Sequence, residues 1–125
     1  QEDYETAMLV CRRGLEWFPN YPPLNHLTGS LFKQLGFPVA AIAYFEKCLQ
    51  MGRDCSYFQR EPFDLRFLGV WPAHDLGLTY MEINRLSEAI AAFELALSFE
   101  AGYLPVQADL EAAQQKLQQD ELRQQ

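Results

Sequence analysis

Residues 41–49 read Ala-Ile-Ala-Tyr-Phe-Glu-Lys-Cys-Leu, and residues 89–97 read Ala-Ile-Ala-Ala-Phe-Glu-Leu-Ala-Leu. In each stretch the apolar and small residues recur at i, i+1, i+4, i+7 and i+8, which places them on one face of a helix. The match is positional as well as compositional: Ala41, Ile42, Phe45, Cys48 and Leu49 align with Ala89, Ile90, Phe93, Ala96 and Leu97. A third copy lies upstream in Ala7, Met8, Cys11, Gly14 and Leu15. The first two copies are 34 residues apart and the last two 48 apart, so the second interval carries 14 additional residues. The register extends outward from these runs, with Gly29 aligned to Gly77, Leu31-Phe32 to Thr79-Tyr80, and Leu35 to Ile83. Self-similarity at such a period is the mark of a repeat architecture, in which each unit buries its apolar face against its neighbours.

The whole chain reads as all-α, and no segment alternates apolar and polar residues for long enough to predict a strand. Helices are predicted at 3–18, 23–35, 38–51, 72–84, 87–100 and 104–120. Gly36-Phe37-Pro38 and Asn84-Arg85 are the expected turns between paired helices, Pro23 and Pro72 suit first turns, and Ser87 before Glu88 reads as a start signal. The organisation expected is a single domain over 1–125: a half repeat (3–20), a repeat (22–53), an insertion (54–71), a second repeat (72–101) and a capping helix (104–120). In that last helix Val106, Leu110, Ala113 and Leu117 share one face, and the glutamine pairs 114–115, 118–119 and 124–125 make a solvated end. Opening at Gln1 without a methionine, the chain reads as either a processed protein or, the preferred reading, a piece of a longer polypeptide.

Composition narrows the function. At 125 residues and 49% apolar content the chain can bury one core, and no apolar run approaches the roughly 18 residues that a spanning helix needs. A net charge of −7 with scattered lysines and arginines argues against nucleic acid and against an anionic membrane surface. Cys11, Cys48 and Cys55 are odd in number, form no CxxC pair and lie far from His26 and His74, so no metal site is expected. Unpatterned thiols fit a reducing compartment, which makes the cytoplasm the expected location. Asp54, Glu61 and Asp64 have no adjacent partner for acid–base work, and His74-Asp75 point about 100° apart on a helix. With no GxSxG, GxGxxG or GxxxxGK[ST] run, neither an active site nor a cofactor is expected.

The runs Leu27-Thr28-Gly29-Ser30-Leu31-Phe32 and Leu76-Gly77-Leu78-Thr79-Tyr80, each followed by its second-helix partner beginning at Ala41 or Ala89, resemble the tetratricopeptide repeat family. The resemblance covers about residues 3–120 apart from the insertion, and the first helix resembles the second half of a repeat closed by Pro19. There are departures. The closing proline is Arg53 in one unit and Ala101 in the next, the bulky early residue is Asn25 or Ala73, and Glu111 takes the glycine position of the last helix. What the resemblance implies is an α-solenoid in which Gly29, Ala41, Phe45, Gly77, Ala89, Phe93 and Ala96 make the helix crossings, with Gly29 against Ala41 and Gly77 against Ala89. It also implies a protein or peptide partner, held on a concave face lined by first helices. That face would carry His26, Leu27, Ser30, Lys33 and Gln34 from one repeat, and His74, Asp75, Leu78, Met81 and Glu82 from the next. The family's carboxylate clamp needs Lys, Asn and Arg there. Only Lys33 is basic, so a partly polar peptide contact is expected instead.

The insertion is dense in aromatic residues. Tyr57, Phe58, Phe63, Phe67 and Trp71 with Arg60 and Arg66 would make an interface if exposed, or would seal the joint between two repeats if folded back, and sealing is the preferred reading. An enlarged aromatic, arginine-containing linker also resembles, more weakly, the repeats that accompany bacterial family 2 type glycosyltransferases. By that resemblance the chain would be an accessory or oligomerisation part of a larger enzyme, without the catalytic domain.

Overall fold

Tyr21 leads into α2 (Pro22–Gln34) and Phe37 into α3 (Pro38–Asp54). Each opens on a proline, whose fixed φ suits a helix start and whose missing N–H would have had no intrahelical partner. The computed structural model describes residues 2–124 and adds α1 (Glu2–Trp17), α4 (Val70–Glu82), α5 (Leu86–Phe99), α6 (Leu104–Arg123) and a 3-10 turn at Leu65–Leu68. All regular structure among the described residues is helical. Gln1 and Gln125 lie outside the described residues, so the polar tail is seen only as far as Gln124.

The turns repeat as the sequence does. Gly36 and Asn84 both adopt positive φ (87° and 60°), and the next N–H reaches back to close the helix end, Phe37 to Phe32 O at 2.8 Å and Arg85 to Tyr80 O at 2.9 Å. Three local expectations need correction. Ser87 does not start α5, because Arg85 is the N-cap and its guanidinium bonds Glu88 at 2.6 Å. With Arg53 in place of a closing proline, α3 continues to Asp54 and stops at left-handed Cys55 (φ 52°). At the far end of the insertion, Val70 and Trp71 form the first turn of α4.

Packing follows the chain: each helix lies against the next, α1 on α2 through to α5 on α6. Phe45 and Phe93 are fully buried at the centres of the α2–α3 and α4–α5 pairs, with Ala41, Ala89, Ala96, Val70 and Val106 around them. The crossings differ from expectation in one respect. A methyl group added at Gly29 would meet the Phe45 ring at 2.8 Å, and one at Gly77 would collide with the Phe93 ring. The glycines therefore make room for an aromatic ring one turn beyond Ala41 and Ala89. Asn25, where the family places a bulky anchor, is buried and donates to Pro19 O and Tyr21 O at 3.0 and 2.9 Å, pinning the turn between α1 and α2.

The insertion folds back on the molecule. The Phe58 N–H donates to Asn20 O at 2.8 Å, and its ring lies 5.2 Å from that of Phe18. Phe63 sits edge-on to both Tyr21 and Tyr57. Phe67 wedges between His26 of α2 and Trp71 of α4, at 5.4 and 4.8 Å between ring centres. Asp64 caps the 3-10 turn and holds Arg66, whose guanidinium covers Trp71 at 4.7 Å.

Candidate functional site: the inner face of the helix array

The first helices of the repeats approach closely along one side of the molecule, α2 with α4 and α4 with α6, whereas among the described residues the backbones of the second helices α3 and α5 make no close approach. An array closed on one side and splayed on the other is curved, and α2, α4 and α6 line its inner face.

The inner face is knitted by side chains. His26 Nε2 of α2 meets Asp75 Oδ2 of α4 at 2.5 Å, and His74 Nε2 of α4 meets Asp109 Oδ2 of α6 at 2.6 Å. An ionised carboxylate only accepts, so each imidazole donates. The two contacts are one device used twice. His26 and His74 hold the same register position, as do Asp75 and Asp109, which stand 34 residues apart. Neighbours on a helix point different ways, so His74 reaches forward to α6 while Asp75 reaches back to α2. Each imidazole is also flanked by rings, His26 by Phe45 and Phe67, His74 by Phe93 and Tyr103. Further along, Lys33 Nζ lies 3.5 Å from Glu82 of α4.

This changes the expected division of labour. His26, Lys33, His74, Asp75 and Glu82 are engaged within the molecule, and Asp109, absent from the sequence-derived set, belongs with them. Its signal was the 34-residue spacing from Asp75, in a helix read only as a cap. Leu27 and Gln34 are exposed, and Ser30, Leu78 and Met81 are half-buried. Among the described residues none of these five makes a side-chain hydrogen bond or ion pair. Of the insertion residues, Tyr57, Phe58, Phe63, Phe67 and Trp71 are half-buried against the molecule, while Arg60 and Arg66 are exposed.

Nucleophilic chemistry has no footing at Cys48 of α3. It is fully buried and bonded to Pro22 O at 3.7 Å, and burial chiefly, with Asp75 adding, pushes its pKa up to about 12. Among the described residues no three His, Cys, Asp or Glu side chains are grouped to hold a metal ion, and no helix is long and apolar enough to cross a membrane.

The tetratricopeptide repeat family profile matches residues 73–103, which comprise most of α4, all of α5 and the turn into α6. In fold, the chain is similar to the crystal structure of MamA, with a TM-score of 0.71 at 18% sequence identity. That similarity covers 93% of this chain and 60% of the MamA chain. No curated protein matches in sequence. The fold is therefore an α-solenoid like that of tetratricopeptide proteins, with the family profile matched over residues 73–103.

Proposed function

We propose that the chain is a protein-interaction module that holds a peptide or protein segment along the inner face of α2, α4 and α6. The observation that carries this reading is the division just described. Paired side chains brace the helices against one another, and Leu27 and Gln34, exposed, with half-buried Ser30, Leu78 and Met81 are left without side-chain hydrogen bonds or ion pairs among the described residues on the same first helices. Apolar residues flanked by donors and acceptors suit a segment that is partly apolar and partly polar. Leu78 and Met81 supply most of the affinity, because exposed polar contacts contribute only about 0–1 kcal/mol each. The test is capture from a native lysate with Leu27→Asp/Leu78→Asp beside the control Glu94→Lys on α5. The inner-face variant loses partners that the control keeps, and the reverse pattern overturns the assignment.

A second reading is favoured by α1. In register, Val10 and Trp17 correspond to Tyr44, which stacks on Phe32 of α2, and to buried Met51, yet they are 63% and 79% exposed. A helical face of this kind suits end-to-end contact with another helix, as in an accessory or oligomerisation unit of a larger enzyme, a family 2 type glycosyltransferase being the example that the linker suggests. Light scattering across concentration separates the two readings. Growth in mass that Trp17→Glu abolishes supports assembly, and a constant monomer mass supports the free inner face.

A further inference from the structure

The insertion builds a cleft that the repeats alone would lack. Because α3 and α5 diverge, a gap opens between their C-terminal ends, and the 3-10 turn fills only part of it. What remains is an open cleft of about 340 Å³ lined by Leu49, Gly52 and Arg53 of α3, Tyr57, Leu65 and Leu68 of the insertion, and Gly69 and Phe99. Two glycines set its shape. A methyl group on Gly52 would approach the Leu68 carbonyl to 3.0 Å, and one on Gly69 would approach the Phe99 ring to 2.9 Å, so backbone and ring lie close at the floor. Two large apolar side chains at this cleft remain in water, Leu65 at 67% and Phe99 at 52% exposed.

The wall also carries an oriented positive charge. Arg53 donates to Gln50 Oε1 at 2.6 Å, and the Gln50 amide is fixed in turn by Asp54 at 2.6 Å. Among the described residues Arg53 makes no ion pair, whereas Arg66, on the far side of Leu65, is occupied by Asp64. An apolar cleft edged by a guanidinium that has no direct ion pair, its link to Asp54 running through the Gln50 amide, is complementary to an apolar side chain with a carboxylate beside it.

We propose that this cleft is a second docking site, separate from the inner face, and that it takes a bulky apolar side chain of a partner protein whose neighbouring carboxylate pairs with Arg53. The probe is the acetylated, amidated peptide Gly-Ser-Asp-Phe-Asp-Ser-Gly, titrated into ¹⁵N-labelled protein while the backbone amides are followed. Saturable shifts are expected at Gly52, Leu65 and Gly69, with those at Leu27 and Leu78 unmoved. Replacing both Asp by Asn weakens binding about two- to fivefold, the range of an exposed ion pair, and Arg53→Gln removes that preference while leaving the helical circular dichroism unchanged. Replacing Phe by Ala abolishes the shifts. Shifts confined to the inner face, equal affinity for the Asp and Asn peptides, or cleft shifts that follow protein concentration without peptide, which would mean a second copy as the occupant, each overturn the proposal.

Discussion

At Gly77 a hydrogen atom is all the side chain that the crossing of α4 with α5 admits, because the Phe93 ring occupies the place of a Cβ. Gly77→Leu forces that fully buried ring out of its site and is expected to cost about 1–3 kcal/mol. The control Gln119→Leu, on the exposed side of α6, should change the melting temperature little, and equal effects would place the crossing elsewhere. Cys48 is the second residue-scale case. Burial pushes the Cys48 thiol up to about 12 from the ordinary 9.0 of a free thiol, so the folded state keeps a proton that the unfolded chain releases. Its contribution to stability is therefore fully present below pH 9 and is lost as pH rises from about 9 toward 12. Cys48→Ala should flatten that alkaline loss in a series of urea titrations. A thiol reagent at pH 8 should label exposed Cys55 first, and Cys11 and Cys48 only on unfolding.

Between elements, the His–Asp clasps hold successive first helices at a set separation. The second clasp is the more consequential, since among the described residues α6 otherwise packs only on α5, whereas α2 is also held by α1, α3 and the 3-10 turn. His74→Ala leaves a half-buried Asp109 without its donor, and the expected loss is about 1–2 kcal/mol. Hydrogen exchange should speed up in α6 more than in α2 or α3. A double-mutant cycle with Asp109→Ala should give a coupling of at least about 0.5 kcal/mol, and additive losses would mean that the two side chains are neighbours without mutual support.

On the scale of the molecule, the array is short and its last helix closes it. Val106 and Ala113 of α6 are fully buried in the core of the α4–α5 unit, while Glu111, Gln114, Gln115, Gln118 and Gln119 face water. A solenoid needs such a polar end for solubility. A chain ending at Gly102 should aggregate more in gel filtration and unfold with a lower denaturant midpoint than the full chain. A truncated chain as stable and monodisperse as its parent would refute the capping role.

Spacing alone was enough to determine the helices, apart from the end of α3 and the starts of α4 and α5, together with the paired turns and the register, because the burial of Phe45 and Phe93 is a property of helical periodicity, which sequence displays directly. The candidate site was legible only in part. The first-helix positions of the inner face followed from the 34-residue register, but that His26 ends on Asp75, and Lys33 on Glu82, depends on how far one repeat is rotated against the next. That rotation is set by the packing of α3 on α4 and by a long insertion whose path no periodicity describes. The same holds for Gly29, which faces Phe45 in place of Ala41 because of how two helices are inclined, a quantity absent from either helix by itself. Local order was thus written in the sequence by the geometry of one helix. Which charges were left free, and where a cleft remained between α3, the insertion and α5, was decided only when several helices shared one core.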